Sequence, residues 1–525
     1  MEMSSKKMSS WRRFVDFVGL MKLDLCLLLF GIANNLQNVT VVQLAEDKKC
    51  INDLNLTISY CLTITEKHNT AENAQIILRH ADDIKNWQFF IMNIPGTIVS
   101  GFLGYWLDKY PHYLKFMVLL TLFAETLQSI ILLVNAYVFS LSSYAILFAY
   151  VPFALGGGMF LIYGACYTYV AWSTPPELLI VRFAIMEFVS MSAGFIGTYI
   201  SGQILIMKPW VDGQARNYIG VLSLSTILLF TTLLLASVFK LKNMPVATPE
   251  NAKRKLGHVI VDVFKVSRLK DLFAAFFKRR PNAGRVRLLL LVLSGTLCLG
   301  AFHGEETIGY QYAQRVYGWS AEKYSTLYSL LSIIPALATS LGPHVLKTCL
   351  GLSDSIIGIL GTVSVFAMNL IHGVVLTPYG FIFTYIAGAL HRISFVAFRS
   401  LISTMVDSNE AAKIFTLITV FDSYGALGSA FLYTRTFNAT IQNNPGLTFI
   451  IAAIILTIPV ATCVWLEVTR SKWEPKVSTE KDNIYGQKSL PDNTTNGNLH
   501  PPTTPSLMKI KNLTIMNVSN VSDKF

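Results

Sequence analysis

The hydrophobic positions of this chain fall in long blocks. Stretches such as YAILFAYVPFALGGGMFLIYGACYTYVA and LTFIIAAIILTIPVATCVWL exceed the roughly 18 apolar residues that mark a bilayer-spanning helix. Twelve such blocks occur, at 23–44, 86–107, 115–137, 145–171, 182–206, 218–239, 286–309, 323–344, 354–376, 381–405, 413–435 and 447–468. A hydrocarbon layer offers no partners to backbone N–H and C=O groups, so each block is expected to be an α-helix that satisfies its own bonds. The longest basic polar stretch divides the blocks six and six. The pattern predicts an all-α membrane protein with twelve transmembrane helices in two six-helix bundles. The expected order is an N-terminal tail over 1–22, a first bundle over 23–239 with an outward loop at 45–85, a basic linker over 240–285, a second bundle over 286–468 and a disordered tail over 469–525.

Composition agrees with this class. Of 525 residues, 52% are hydrophobic and 14% charged, where soluble domains carry about 25% charged residues. The first block follows the basic MEMSSKKMSSWRRFVDF. It is longer than a signal-peptide core, holds NNLQN at its centre and lacks a small-residue cleavage site, which makes it an uncleaved first helix. Residues 240–287 hold 13 Lys/Arg and three acids, whereas 45–85 hold seven acids and five Lys/Arg. The positive-inside rule then puts both termini and the linker in the cytoplasm and the acidic loop outside. The net charge of +12 therefore reports topology, and it suits the linker to anionic headgroups of the lipid bilayer. Nucleic acid is the poorer partner, because the bases are interleaved with Val, Phe and Leu as in an amphipathic surface helix. The membrane itself is either plasma or endolysosomal, and the oligomeric state stays open.

Among seven cysteines, Cys50 and Cys61 are the two in the outward loop. They form a candidate disulfide in an oxidising compartment, which their spacing alone leaves open. Sequons at Asn55 and Asn438 face outward and are candidate glycosylation sites, whereas those at Asn493, Asn512, Asn517 and Asn520 fall in the cytoplasmic tail.

Two six-helix halves suggest an internal repeat, and a faint echo of one is visible. STPPELLIVRFAIME places Glu177, Arg182 and Phe183 ahead of Glu187; DSNEAAKIFTLITVFD places Glu410, Lys413 and Phe415 ahead of Asp422. Both precede the fifth helix of their half. The small-residue stretches LGGGMF (155–160), SAGFIG (192–197), YISGQ (199–203) and YGALGSA (424–430) allow close helix contact.

Polar residues inside the apolar blocks are the candidates for chemistry, because lipid penalises them. Asn34 and Asn38 share a face of the first helix one turn apart, which suits either a water-filled cavity or interhelical hydrogen bonds. Arg392 and Arg399, seven residues apart on one face of the tenth helix, need a carboxylate, an anionic substrate or a cavity, or, for Arg399 near the cytoplasmic end, a snorkelling path to water. His303 lies beside Glu305 and Glu306, as a proton sensor or as a solvated helix end. Glu125 and Asp422 are further candidates for charge pairing. Glu187 sits about 9 Å into the fifth helix, at 1.5 Å per residue. A carboxyl in that environment takes a proton readily, which makes Glu187 a candidate proton-coupling group; packing by hydrogen bonding is the alternative.

The turn GYWLDKYPHYLK resembles the G-x-x-x-D-[RK]-x-G-[RK]-[RK] motif of the major facilitator superfamily through Gly104, Asp108 and Lys109, with Pro111, His112 and Tyr113 departing from it. With Arg182 at the inner edge of the fifth helix, Asp108 and Lys109 are candidate gating residues. Nothing suggests an enzyme. The sequence carries no G-x-x-x-x-G-K nucleotide loop, no H-E-x-x-H or paired C-x-x-C metal spacing, no nucleophile elbow and no cofactor motif.

YTYVAWSTPPELLIVRFAIMEF and FRSLISTMVDSNEAAKIFTLITVFDSYGALGSAFLYTRTFNAT resemble the corresponding segments of the proton-coupled folate transporter family, solute carrier family 46. The resemblance implies the major facilitator fold and proton-coupled uptake of a small anionic organic substrate, folate-like, muropeptide or cyclic-dinucleotide-like. It also implies that Glu187 matches a fifth-helix glutamate tied to proton coupling and that Arg399 matches a tenth-helix arginine tied to substrate or proton handling. His303 lies one position from a histidine of some relatives, and Trp172 stands where relatives often carry Asp. The resulting expectation is alternating access, with protons as the coupled partner and Arg392 and Arg399 attracting the anion. A proton-independent facilitator and a transporter-like receptor without flux are the alternatives.

Overall fold

Each predicted block is found as helix, unbroken or split, in a computed structural model. It describes residues 21–63, 72–174, 179–241, 254–265, 267, 274, 276–280, 283–406 and 408–473. The helices of the first half are α1 (Lys22–Lys48), a short α2 (Ile58–Leu62), α3 (Glu72–Lys109), α4 (Leu114–Tyr137), α5 (Tyr150–Leu155), α6 (Gly158–Ser173), α7 (Leu179–Leu205) and α8 (Tyr218–Val238). A linker helix α9 (Leu256–Val263) precedes α10 (Gly284–Tyr317), α11 (Ala321–Pro343), α12 (Asp354–Val374), α13 (Pro378–Ala387), α14 (Ile393–Met405), α15 (Ser408–Thr440) and α16 (Leu447–Val468). Nine stretches among the described residues are long and apolar enough to cross a bilayer, and the described residues contain no strand.

Two features depart from the sequence pattern. The expected loop at 45–85 is largely helical: α1 runs to Lys48 and α3 starts at Glu72, ahead of its apolar block. Polar residues extend a helix readily where it leaves the lipid, and hydropathy records only the apolar part. The second departure is that the fourth and tenth spans are split. A 3₁₀ turn (Ser143–Ala149) and α5 lead to Gly156 and Gly157, and Gly157 takes φ +91° before α6 begins. In the second half the chain turns between Ala387 and Ile393, separating α13 from α14.

Packing repeats between the halves. The first-half pairs α1·α7, α1·α8 and α4·α8 have counterparts in α10·α15, α10·α16 and α12·α16. The contacts across the halves, α7·α11 and α3·α15, exchange under the same correspondence. Small residues make these approaches close. A methyl group added at Gly197 of α7 would come 2.6 Å from the Ile32 carbonyl of α1, and one at Gly425 of α15 would meet the Thr296 side chain of α10 at 2.3 Å. Gly194, by contrast, has nothing within 4 Å and is no contact point.

Near the start of α3, Cys50 and Cys61 are joined in a disulfide, and a small apolar lobe of Leu54, Leu56, Ala74, Ile77 and Leu78 packs around it. This marks one end of the bundles, the lobe end; α9 and the turn at 110–113 mark the opposite, linker end. One buried cluster crosses between halves. It joins Leu36, Val42, Leu205 and Tyr218 to Tyr310, Trp319, Tyr324 and Phe381, at the lobe end.

Candidate functional site

The two split spans occupy corresponding places in the two halves, and each break is bridged from the preceding span by a hydroxyl. Thr121 Oγ1 of α4 donates to the Gly156 carbonyl at 3.0 Å. Ser364 Oγ of α12 donates to the Ala387 carbonyl at 2.5 Å and accepts from the Leu390 N–H at 3.2 Å. Discontinuous helices at corresponding positions of two repeats mark transporter binding sites, because the freed backbone groups line a cavity.

A charged cluster lies between the halves beside the second break. Arg392, the residue before α14, holds its guanidinium over the Phe302 ring of α10 at 4.3 Å. Phe302 also stacks on His391, with ring centres 5.9 Å apart. Next along α10, His303 Nδ1 lies 3.2 Å from Glu306 Oε2, and the His303 ring is 6.5 Å from that of Phe89 in α3. Glu306 is within electrostatic range of both Arg392 and Lys85. Lys85, on α3, donates a short hydrogen bond to Asn38 Oδ1 of α1. Both halves thus supply charge to one place, two cations and a carboxylate with a histidine alongside, and Glu306 keeps 45% of its side chain accessible. Glu305 lies 3.7 Å from His372 on the neighbouring α12.

Sequence reading expected Arg392 and Arg399 on one face of a continuous helix. The break changes this: Arg392 precedes α14 and is half-buried, whereas Arg399 lies within α14, exposed and in electrostatic range of Asp422. Of the two asparagines, Asn38 joins the charged cluster, but Asn34 Nδ2 donates to Glu125 Oε1 at 2.9 Å, inside the first bundle. Glu187 belongs to α7 and Asp108 to α3, but both side chains lie outside the described residues.

Arg182, read as an edge residue, is fully buried. Its Nη1 and Nη2 bond the Asp24 carboxylate of α1 at 3.0 and 2.7 Å. Lys109 bonds Asp262 of α9 at 2.6 Å, and Tyr105 and Tyr110 donate to the same oxygen at 3.1 and 3.0 Å. Burial opposes ionisation of Asp262, but these donors prevail and hold its carboxyl well below the usual carboxylate range; Asp262 in turn holds the Lys109 ammonium above its own. Asn55 is exposed in a turn with φ +50°. Asn438 is half-buried and accepts from Arg315 Nη1 at 3.4 Å.

Sequence reasoning missed the cross-bundle closure at the lobe end. Gln314 Nε2 donates to Glu46 Oε2 at 3.0 Å, Tyr310 donates to Gln43 Oε1 at 2.6 Å, Arg315 pairs with Asp82 at 2.7 Å and Gln203 donates to Thr326 at 3.3 Å. Glu46, Asp82 and Lys85 fell in the segment taken for loop, so their helical register was hidden. Asp24 opens the first apolar block as Arg182 opens the fifth, and opposite charges at matching depth were the available signal for that pair.

Two bundles with repeated packing, split fourth and tenth spans, and a charged cluster between the halves define a polytopic membrane carrier. The chain belongs to the major facilitator superfamily: the family model described as Major Facilitator Superfamily matches residues 23–431. A Drosophila melanogaster protein named "Probable peptidoglycan muropeptide transporter SLC46" is 22% identical over 263 residues, in agreement with the solute carrier family 46 resemblance. The match covers 49% of this chain and spans only about half (50%) of that relative's length. Among solved structures, the human organic anion transporter MFSD10 (TETRAN) has a TM-score of 0.57 at 13% identity, covering 87% of this chain and 100% of its own. The peptide transporter POT in complex with sulfate has a TM-score of 0.54 at 14% identity, covering 86% and 94%. At these identities the likeness is one of fold.

Proposed function

We propose that this protein is a secondary active transporter that takes up an anionic organic solute with protons by alternating access. The observation that carries the reading is the cluster between the halves, where Lys85 and Arg392 flank Glu306 and His303 beside the break before α14. An incoming anion competes with Glu306 for the two cations, and protonation of that acid removes the competitor. The lobe-end contacts support a carrier caught with that end shut, as alternating access requires of one of its states. The muropeptide transporter relative favours a muropeptide-like solute, with folate-like and cyclic-dinucleotide-like anions as the other members of the class.

In this reading both termini and the linker are cytoplasmic and the disulfide lobe faces outward, where Asn55 is open to glycosylation. The membrane is plasma or endolysosomal. Glu187 and His303 couple the proton, Arg392 and Arg399 attract the anion with Asn38 beside them, and Asp108 and Lys109 act at the inner gate.

The test is uptake of muropeptides, folates and cyclic dinucleotides at about pH 5.5 and about pH 7.4, with Glu187→Gln alongside. Uptake that rises at the lower pH, with that dependence lost in the variant, supports the coupling. Uptake indifferent to pH in the unaltered protein removes it and leaves a facilitator.

A further inference from the structure

A buried acid that the proposed function does not use lies inside the first bundle. Glu125 of α4 is fully buried, and among the described residues it meets no cation. Its Oε1 accepts from Asn34 Nδ2 of α1 at 2.9 Å, and its Oε2 is buried with no hydrogen-bond partner. The titratable group facing it is Tyr150 of α5, whose own hydroxyl is buried and unpartnered. From α8 come hydroxyls alone, with Ser225 and Thr226 meeting Ser129 one turn further along α4 at 3.5 and 2.8 Å. Arg182 and Asp24, two other buried charges of the same bundle, neutralise each other.

An ionised carboxylate needs a cation or several donors when it leaves water, and a carboxylic acid needs neither. The unpartnered Oε2 is the atom that a proton would occupy. A second observation ties this acid to the break in the fourth span. Gly156, at the break between α5 and α6, packs against Ala124, the residue before Glu125, so closely that an added methyl group would come within 2.4 Å of the Ala124 side chain. Thr121, one turn earlier on α4, holds the Gly156 carbonyl. A change of angle at the break therefore alters the surroundings of Glu125.

We infer that Glu125 is a proton-binding residue of the first bundle, neutral while the lobe end is shut and titrating when the break in the fourth span opens its surroundings to water. The inference stands on the burial and hydrogen bonding of Glu125 and on the geometry of the break, and it holds whether or not uptake is proton-coupled.

Infrared difference spectroscopy of the purified full-length protein in lipid vesicles, titrated in pH, tests it. The unaltered protein should show a carboxylic-acid C=O band at neutral pH that is lost in Glu125→Gln, and the band should fade as pH rises. Spectra that superimpose throughout that region, or a difference confined to an ionised carboxylate, overturn the inference. Asn34→Leu keeps the acid and removes its donor, so it covers the case in which Glu125→Gln fails to fold. The band should move to higher frequency, and an unmoved band counts against Glu125. Uptake measured on the same vesicles separates the two ideas: a Glu125 band together with pH-independent uptake defeats proton coupling alone, and pH-dependent uptake with no such band defeats the Glu125 site alone.

Discussion

Arg315 of α10 and Asp82 of α3 form an ion pair at 2.7 Å across the two bundles, with 4% and 2% of their side chains exposed. Arg315 also reaches Asn438 and lies over the Phe437 ring. This buried pair belongs to the state with the lobe end closed. Removing one partner from a buried pair costs about 3–5 kcal/mol, which approaches the roughly 5.5 kcal/mol that turns a 99:1 population into 1:99. Asp82→Asn is therefore expected to favour the lobe-open state. A cysteine introduced at Gln43 should label faster from the lobe side in that variant, and the exchange Asp82→Arg with Arg315→Asp should restore slow labelling.

Arg182 and Asp24 staple α7 to α1 within one bundle, and their fork-to-fork geometry is specific to arginine. Arg182→Ala leaves Asp24 buried and uncompensated, with an expected loss of about 3–5 kcal/mol. Thermal unfolding in detergent should show a fall of several degrees, with Arg182→Lys nearly as damaging. Replacing both residues with leucine should recover much of the loss, because two apolar groups leave no stranded charge.

Arg392 lies over the Phe302 ring at 4.3 Å. A cation–π contact of a half-buried cation is worth about 0.5–2 kcal/mol, so Phe302→Leu should raise the KM for an anionic substrate about 2- to 30-fold, at about 1.4 kcal/mol per decade. Arg392→Lys keeps the charge but loses the planar stack, and it should fall between Phe302→Leu and Arg392→Ala. Initial uptake rates over a substrate series decide the order.

Asp262 clamps α9 to the end of α3 through Lys109, Tyr105 and Tyr110. Its folded carboxyl titrates below the ordinary value of about 3.9, so its contribution is complete above that value and is lost only as pH falls through the lower folded one. The Lys109 contribution has the opposite sense, being complete below the ordinary lysine range and lost only at higher pH. Protection of the α9 amides, as hydrogen exchange corrected for the intrinsic rate at each pH, should therefore be the same at about pH 5.5 and about pH 7.4. Asp262→Asn should raise exchange at both pH values, and Lys109→Ala should do so less, because the two tyrosines remain.

The helical class and the positions of the spans were legible in the sequence, because lipid forces long apolar runs and long runs forces helices. The charged residues were visible as anomalies but their partners were not. Asn34 and Asn38 look alike in sequence, one turn apart, yet one bonds a buried acid and the other the cation of the central cluster. The Gly156–Gly158 run read as a packing stretch, and the fold uses it to break a helix.

Hydropathy by itself determined that this chain is built of membrane-spanning helices and where its apolar blocks fall, since the transfer of a segment into lipid depends on its own residues. The tertiary structure alone decided which charges neutralise each other, which end of the bundles is shut and where the fourth and tenth spans divide. Those outcomes depend on residues far apart in the chain, such as Asp24 with Arg182 and Asp82 with Arg315, whose meeting is fixed by helix packing.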